Sequence, residues 1–312
     1  MLWEPVDPTQ ALQERFGFDG PAAVTDWVSA SLEQTWDVTA YGCSRIAISG
    51  QESVVVWADT PRGSLVVKWS RVETRFAALT ASARVLAHLG RRGLPVAAPL
   101  PTLTGEDRAT LEGPSGPLSV MVQPELSGQW LDVSDGAAVH AAGACPARLH
   151  AGLRDHTDVR LLRTSRIEVS QQAVQGWLDH GDRGLAPGAS SRLRQLLAGL
   201  PDLDREPQLV HHDYRAANIL TSGSEVVGVL DFDELAVGQP VGDLAHASVY
   251  LGTLFTDWRP TAVVARRQLR AGYESVRALT AAERRWYEAL VLWFGIRAVP
   301  DEADPHGWAA AL

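Results

Sequence analysis

Two side chains with oxygen ligands lie at the two ends of one predicted β-hairpin. Ile219–Thr221 and Val226–Leu230 are β-rich segments on either side of a glycine-containing turn at 222–225. Because strand pairing brings the ends of a hairpin together, we expect Asn218 and Asp231 to converge. An amide oxygen and a carboxylate are hard ligands of the kind Mg²⁺ takes, with water and phosphate oxygens completing the shell. The segment therefore predicts a magnesium site.

Asp213 lies one loop before this hairpin, in the order His-x-Asp-x4-Asn, and Asp-Phe-Asp follows the hairpin at 231–233. Kinases use this order: the first aspartate handles the substrate hydroxyl, and the later residues hold the metal ion. A single match of this kind is weakly specific. The prediction rests on the order of several elements along the chain. A glycine-containing turn, a strand with a lysine, a helix and a connector precede the His-x-Asp-x4-Asn segment and the hairpin.

Lys68 is the only lysine among 28 basic residues, which is the pattern expected where a compact ammonium is needed rather than a guanidinium. It lies in a β-rich run at 64–69, which follows similar runs at 46–48 and 54–58. An amphipathic helix is predicted at 74–89, with apolar residues at helical spacing and Gly90 as a stop.

The remaining pattern divides the chain into a small β-rich part with one main helix and a larger, mostly helical part. We place the first part at 1–123, a connector at 124–128 and the second part at 129–312. One β-rich island at 208–233 interrupts the helical part, and the predicted helices cover 136–154, 168–180, 189–199, 260–278 and 280–298.

Composition bounds the function. With 46% hydrophobic and 21% charged residues the chain can bury a sizeable core, and its net charge of −9 argues against a general nucleic-acid binder. Two cysteines give neither a disulfide framework nor metal spacing, which suits a reducing compartment. The sequence shows no signal peptide and no run near 18 apolar residues, so we expect a cytoplasmic protein without a membrane partner. Nothing in it indicates an oligomeric state.

Two segments resemble the aminoglycoside phosphotransferase-like small-molecule kinases. "HHDYRAANIL" is similar to their "HGDxxxxNIL", with His212 in place of the usual glycine, and "VLDFDELAVGQPVGDLA" is similar to their "IDFDxAxxGxPxxDLA". The likeness extends over about 45–250. It implies an α+β, two-lobed protein-kinase-like fold: a small antiparallel-β N-lobe over 1–123, a hinge at 124–128 and a larger, mostly helical C-lobe.

The resemblance also implies a nucleotide site for ATP. Lys68 corresponds to the lysine that grips the α- and β-phosphates, where a point charge neutralises the anion. Gly50 and Ser53 fall in the phosphate-covering loop, and Pro124 and Leu126 fall in the hinge whose backbone C=O and N–H hold the adenine. Pro124 lacks an N–H, but only its carbonyl is required.

For catalysis the resemblance implies that Asp213 accepts or orients the substrate hydroxyl proton and that Asn218 and Asp231 hold Mg²⁺. Arg215 is expected to steady the transferring phosphoryl group. His211 is expected to pack the catalytic loop, and Asp243 to accept hydrogen bonds from the backbone of that loop. His150, on a predicted helix, is expected to be a packed or capping residue.

One departure concerns the glutamate that normally pairs with the lysine from the following helix. Ser82 stands where relatives have "EARVL", and Glu73 is the only acid between Lys68 and Glu106. Three alternatives stay open: Glu73 substitutes through an altered helix start, Asp231 alone orients the lysine, or the lysine is incompletely positioned.

We expect an ATP-dependent kinase of a small hydroxylated molecule. Residues 201–312 carry 16 acidic against 10 basic side chains, which favours a cationic acceptor such as an aminoglycoside or another cationic antibiotic. The acids expected to wall the acceptor site are Asp257, Glu274, Glu283, Glu288, Asp301, Glu302 and Asp304. Alternatives are a kinase of a metabolite of the choline, homoserine or sugar type, and a catalytically weak nucleotide-binding scaffold.

Overall fold

The computed structural model describes residues 6–49, 52–154, 156, 169–203, 206–255 and 258–312. Contacts divide the chain into two compact units, Met1–Ser127 and Gly128–Leu312. The division falls inside the segment 124–128 predicted as the hinge.

The first unit is built on a five-stranded antiparallel sheet of order β1-β2-β3-β5-β4. Its strands are β1 (Gly42–Ser49), β2 (Ser53–Thr60), β3 (Gly63–Ser70), β4 (Ala109–Gly113) and β5 (Gly116–Pro124). Its helices are α1 (Pro8–Phe16), α2 (Pro21–Trp36) and α3 (Phe76–Arg91). The predicted helix at 74–89 is therefore present as α3. The two helices before the sheet were expected only in being helical flanking segments.

Helices α1 and α2 pack on one face of this sheet. Trp69 on β3 is fully buried there and meets Phe16 and Trp27 edge-on, with ring centroids 6.5 and 5.3 Å from its own. Val67 belongs to the same cluster. Because successive strand residues face opposite sides, Lys68 faces away from this core.

The second unit is mostly helical. Its helices are α4 (Gly136–Arg154), α5 (Gln171–His180), α6 (Pro187–Leu197), α7 (Pro240–Tyr250), α8 (Val263–Val276) and α9 (Ala281–Ala298). The predicted helices match α4, α5, α6, α8 and α9 to within a few residues. Helix α7 was not predicted. In the parts of the chain that the structure describes, no helix is long and apolar enough to cross a membrane.

Helices α4 and α8 approach closely because each presents a glycine at the crossing. A Cβ built on Gly143 would lie 1.9 Å from the carbonyl oxygen of Leu269, and one built on Gly272 would lie 1.9 Å from that of His140. Neither position accepts a larger side chain without separating the backbones. The crossing matters to the site because His150 on α4 and Tyr273 on α8 belong to its supporting network.

Short strands interrupt the helices. They are β6 (Gln129–Trp130), β7 (Gln208–Val210), β8 (Ile219–Ser222), β9 (Glu225–Val229) and β10 (Ala236–Gly238). The sheet order is β6-β8-β9, and β7 pairs with β10. The predicted hairpin is confirmed as β8 and β9. Its turn is tighter than expected because Ser222 already pairs with Glu225, and Gly223 adopts φ +56°, which glycine reaches without strain.

Candidate active site

Asp213 lies on the loop between β7 and β8, where three hydrogen bonds fix it. The Nδ2 group of Asn218 donates to its Oδ2 (2.7 Å) and to its backbone carbonyl (2.8 Å). The Nε–H of Arg215 donates to Oδ1 (2.9 Å). Asp213 keeps about a quarter of its side-chain surface exposed. A carboxylate held in this way is accessible to a ligand and fixed in orientation.

Asn218 and Asp231 converge as the hairpin predicts. The backbone N–H of Leu230 donates to the carbonyl of Asn218 (2.8 Å), and Ile219 pairs with Val229, so the two ends of the hairpin are adjacent. Because Nδ2 of Asn218 is directed at Asp213, its oxygen is the atom that can ligate a cation. The site thus brings Asp213, Asn218 and Asp231 to one place.

Asp231 adopts a left-handed backbone conformation, with φ +62° and ψ +68°. For a residue with a Cβ this conformation costs on the order of 1–2 kcal/mol. The strain turns the chain sharply after β9 into a short 3₁₀ helix at Phe232–Glu234. Strain of this kind is common at functional positions, and here it occurs beside the predicted catalytic loop at 211–218.

His211 connects the catalytic loop to the hairpin. The backbone N–H of Asp213 donates to its Nδ1 (3.2 Å), so its Nε2–H is the group that donates to the carbonyl of Leu230 (3.0 Å). Its ring meets Phe232 edge-on at 4.6 Å. His211 therefore packs the loop, as predicted, and fixes the spacing between Asp213 and the strand that leads to Asp231.

His212 occupies the position where the resembling family has glycine. Its φ is +64°, a left-handed conformation that glycine adopts more easily than other residues, which accounts for the usual glycine at this position. A histidine is accommodated because its backbone N–H donates to Oδ1 of Asp243 (2.8 Å) and its ring packs on His246 (centroids 4.8 Å apart). Burial lowers the pKa of His212, and that of His246 to about 3. Both rings are therefore neutral near pH 7. Sequence reasoning did not anticipate this pair.

Asp243 anchors the catalytic loop from the first turn of α7. It accepts from the backbone N–H groups of His211 (3.3 Å) and His212, as predicted, and its Oδ2 lies 2.9 Å from Nε2 of His150. Burial acts to raise the pKa of Asp243, but its hydrogen bond with His150 is the main effect that outweighs burial and lowers the pKa. His150 is thus a packed, hydrogen-bonded residue, and its Nδ1 meets the hydroxyl of Tyr273 (2.9 Å).

The network continues to α9 through charged residues. Burial raises the pKa of Tyr273 to about 12, so its hydroxyl stays protonated, and it accepts from Nη1 of Arg277 (3.0 Å). Arg277 in turn pairs with the buried Glu283, which also completes the capping box of Thr280 at the start of α9. A chain of buried polar contacts thus links the catalytic loop to α4, α8 and α9.

In the first unit, Lys68 is buried on the central strand β3, paired in register with Val55 and Met121. Ser53 begins β2, opposite Ser49, and Gly50 lies outside the described residues. The predicted phosphate loop therefore corresponds to the β1–β2 connection of this sheet.

Pro124 ends β5, opposite Leu65. After it, the N–H of Glu125 donates to the carbonyl of Ser64 (3.0 Å), and the chain leaves the sheet at Leu126. The adenine contacts of Pro124 and Leu126 stay predictions.

Ser82, which stands in place of the usual helix glutamate, and Glu73, the acid that could substitute for it, occupy different environments. Ser82 on α3 is buried, and its hydroxyl has no hydrogen-bond partner among the described residues. Glu73 is exposed in a 3₁₀ turn before α3, where it lines a surface cavity of about 270 Å³ with Arg15, Arg71 and Glu52. Its exposure contrasts with the burial of Lys68.

Most of the acids predicted to wall an acceptor site are already engaged. Glu274 pairs with Arg270 and Arg284 (3.2 Å each), and Asp301 pairs with Arg183 (2.6 Å). Glu283 is used by Arg277, and Asp304 caps the backbone N–H groups of Trp308 and Ala309. Glu288 and Glu302 are exposed, and Asp257 lies outside the described residues. Four of the seven predicted acids are therefore already engaged, three in ion pairs and one in a backbone cap.

These features are those of a phosphotransferase with the protein-kinase-like fold: a unit built on a five-stranded antiparallel sheet, a helical unit, and an aspartate, an asparagine and a second aspartate on a loop and hairpin. A family model confirms this class, because the model described as the phosphotransferase enzyme family matches residues 43–285, more than three quarters of the chain. The chain belongs to this family of enzymes, as its resemblance to aminoglycoside phosphotransferases indicated.

Solved structures with this fold include a microcompartment-associated aminopropanol kinase (TM-score 0.62, 17% identity, 91% of this chain and 92% of that one). A macrolide 2′-phosphotransferase from Brachybacterium faecium has a TM-score of 0.60 at 19% identity, over 92% of this chain and 98% of that one. An amicoumacin kinase in complex with AMP-PNP, Ca²⁺ and its ligand has a TM-score of 0.58 at 17% identity, over 91% and 90%. At these identities the likeness establishes the fold.

Curated relatives include acyl-CoA dehydrogenase family member 11. The mouse protein is 26% identical over 205 residues, which is 61% of this chain and 24% of the relative, and the human protein is 42% identical over 57 residues, 18% of this chain and 7% of the relative. The matched segments therefore span a quarter or less of these longer proteins.

Proposed function

We propose that the protein transfers the γ-phosphoryl group of Mg-ATP to a hydroxyl group of a small molecule. The observation that supports this most strongly is that Asn218 and Asp231 lie at the two ends of one hairpin and that Asn218 donates a hydrogen bond to Asp213 on the preceding loop. Kinases of this fold need a carboxylate beside the alcohol and oxygen ligands beside the phosphates, and this loop and hairpin supply both.

In the proposed reaction the alcohol oxygen attacks the γ-phosphorus and forms a new P–O bond. The bond from the γ-phosphorus to the bridging oxygen breaks, and ADP leaves with that electron pair. Asp213 accepts the hydroxyl proton as the new bond forms. Its bonds to Arg215 and Asn218 hold the carboxylate in the orientation that this proton transfer requires.

The donor set at the hairpin ends fits Mg²⁺, because an amide oxygen and a carboxylate are hard ligands that leave room for water and phosphate oxygens. Asn218 and Asp231 are the residues that would hold the ion. When bound, it neutralises phosphate charge and orients the nucleotide. No group of three or more His, Cys, Asp or Glu side chains that could hold a metal occurs within the described ranges, and two protein ligands are enough for an ion that phosphates also bind.

For the nucleotide, we assign Lys68 to the α- and β-phosphates, Gly50 and Ser53 to the covering loop, and Pro124 and Leu126 to the adenine. Burial on a central strand supports the role of Lys68, since a buried ammonium binds an anion strongly. Arg215 is assigned to the reacting centre through its contact with Asp213.

The printed functions of the fold relatives support a small hydroxylated acceptor, either an antibiotic or a metabolite. The scaffold alternative is supported by the buried Ser82 at the place of the usual glutamate. The geometry around Asp213 favours catalysis, because a scaffold does not require an oriented carboxylate beside two cation ligands.

The test is to incubate the full chain with Mg-ATP and a panel of small alcohols while following ADP release and the appearance of a phosphorylated product by mass spectrometry. The matched control for each alcohol is its deoxy analogue, which lacks the accepting oxygen. Product and ADP in equal amounts, with none from the deoxy analogue, are expected. ATP binding without acceptor-dependent ADP across the panel would instead identify a nucleotide-binding scaffold.

A further inference from the structure

Arg215 lies on one side of the Asp213 carboxylate and Asn218 on the other. Arg215 donates from Nε to Oδ1, whereas Asn218 donates from Nδ2 to Oδ2. Because Asn218 belongs to the cation site, the Arg215 side of the carboxylate is the side away from the metal. We therefore assign a ligand group that contacts Arg215 on this side to the acceptor and not to the nucleotide.

The guanidinium of Arg215 has hydrogen-bonding capacity that the protein does not use. The residue is 5% exposed, and its Nη1 is buried with no hydrogen-bond partner among the residues that the structure describes. Arginine stays charged at any physiological pH, and a buried donor without a partner costs about 1–3 kcal/mol. Its carbon Cζ lies 5.7 Å from the ring centroid of Trp258. A ligand that accepts a bond from Nη1 removes this penalty.

A series of side-chain contacts begins at Arg215, two residues after Asp213, and ends at His212, the residue before it. After Trp258 come Tyr250 (ring centroids 6.4 Å apart) and then His246, which lies 4.5 Å from Tyr250 and 4.8 Å from His212. We call these five residues the acceptor ring. Both of its histidines have a buried Nδ1 without a hydrogen-bond partner in the described part of the chain. Three unused polar nitrogens thus belong to one cluster beside the catalytic carboxylate.

The charges that face the acceptor ring are mainly positive or already engaged. Arg297 acts on both His246 and Tyr250, and the described residues include no carboxylate paired with it. Arg183 also acts on Tyr250 and pairs with Asp301. Of the carboxylates that act on His212, Asp243 is buried and used by three hydrogen bonds, and Glu234 is exposed. Asp213 itself is paired with Arg215.

Apolar surface adjoins this cluster. Trp258 is 40% exposed and Trp130 is 37% exposed, and Trp130 meets Phe255 edge-on at 5.0 Å. Leu254, which directly precedes Phe255 in the chain, is also exposed. Exposed aromatic and aliphatic side chains beside a polar cluster are typical of a small-molecule site, where the apolar walls bind the body of the ligand.

Resting on the proposed function, we propose that the acceptor is an anionic alcohol: an apolar body that carries the accepting hydroxyl and a carboxylate or phosphate group, which Arg215 binds through Nη1. The planar guanidinium matches the geometry of these anions, and its bond to Asp213 places the anion close to the carboxylate that takes the hydroxyl proton. Arg297 adds positive charge, and the neutral histidines add hydrogen bonds. This proposal differs from the expectation of a cationic acceptor, four of whose seven supporting acids are engaged in ion pairs or a backbone cap.

The experiment uses probes with one skeleton and different charge. The series is 4-(hydroxymethyl)benzoate, its phosphonate counterpart, its primary amide and 4-(hydroxymethyl)benzylamine. Binding to the full chain is measured by calorimetry in the presence of Mg²⁺ and AMP-PNP. We expect an anion to bind at least about tenfold more tightly than the amide, and the amine to bind weakest. The benzoate and phosphonate arms show which anion the site prefers.

The variants Arg215→Gln and Arg215→Lys test the assignment, and Arg192→Gln on the exposed face of α6 is the matched control. Arg215→Gln should reduce the preference for the anion over the amide by about tenfold or more, Arg215→Lys should retain part of it, and Arg192→Gln should leave it unchanged. Arg297→Gln, at an exposed position that leaves the loop intact, should reduce it by a few-fold.

Tighter or equal binding of the amine, binding of no member of the series, or an unchanged anion preference in Arg215→Gln would overturn the proposal. A loss of turnover in Arg215→Gln with the anion preference intact would mean that the guanidinium serves the transferring phosphoryl group instead. The two proposals fail separately. Phosphorylation of the hydroxyl of amine-bearing alcohols only would refute the anionic acceptor alone, whereas anion binding without any phosphoryl transfer would refute the proposed function alone.

Discussion

Replacing Asp243 by asparagine should loosen the catalytic loop without touching a reacting group. The amide oxygen can keep the bond from the N–H of His212, but the new NH₂ group faces the N–H of His211 and Nε2 of His150. Hydrogen bonds to a charged group contribute about 1.5–3 kcal/mol each, and two are weakened. We therefore expect Asp243→Asn to lower the free energy of unfolding by about 3 kcal/mol.

A loss of that size corresponds to a melting temperature lower by about 6–12 °C for a unit of this length. The assay is thermal unfolding followed by circular dichroism, together with kcat for the acceptor. The control is Asp202→Asn, an exposed carboxylate for which no such change is expected. We expect kcat to fall more than nucleotide affinity does, because the perturbed groups hold the catalytic loop.

The pH dependence sharpens this test. The folded-state pKa of Asp243 is lowered, so its contribution to stability is complete above its ordinary pKa near 4 and is lost as pH falls below that value. The gap in stability between the native chain and Asp243→Asn should therefore be constant near neutral pH and should narrow below about pH 4. A melting temperature unchanged by Asp243→Asn at pH 7, or a gap that widens in acid, would refute the role assigned to this network.

Three further perturbations have expected outcomes. Asp231→Asn should raise the Mg²⁺ concentration for half-maximal turnover at least about tenfold, measured by magnesium titration, because a carboxylate ligand becomes a neutral one; an unchanged midpoint would remove Asp231 from the cation site. Gly143→Ala should destabilise the chain by about 2 kcal/mol or more in thermal unfolding, because the new Cβ meets the α8 backbone. Gly176→Ala should instead stabilise the chain by about 0.5–1 kcal/mol, because nothing lies within 4 Å of its Cβ position. Equal effects of the two substitutions would contradict the close helix crossing. Lys68→Arg should raise the KM for ATP at least about tenfold with the fold retained, because a buried planar guanidinium does not replace a compact ammonium; a KM equal to that of the native chain would argue against a phosphate role.

Local chemistry made the centre of the site predictable. A β-hairpin forces its two ends together, so the approach of Asn218 and Asp231 follows from a turn and two β-rich runs. The side of the sheet on which Lys68 lies follows from strand alternation, because its neighbour Trp69 points into the apolar core and Lys68 must point the other way. The roles of His211 and Asp243 came from the resemblance, and the hydrogen bonds of the loop confirm them.

What the sequence did not predict depends on contacts between distant segments. Helix α7 was missed although Pro240 marks its first position, because its short apolar sequence follows directly on the β-rich island. The sequence could not identify which tryptophan lies beside the reacting centre, since the contact of Trp258 with Arg215 joins residues far apart in the chain. The ion pairs of Glu274 and Asp301 with arginines are likewise visible only in three dimensions.

The most direct test of the central claim is the acceptor-dependent kcat of Asp213→Asn. Asparagine keeps an oxygen for the Nε–H of Arg215 and the backbone carbonyl that accepts from Asn218, and it loses the Asn218 bond to Oδ2 together with the proton acceptor. We expect kcat to fall by about 10²–10⁴-fold, with binding of Mg²⁺ and AMP-PNP within a few-fold of the native chain. A variant that turns over at the native rate would contradict the assignment of Asp213 as the residue that accepts the hydroxyl proton.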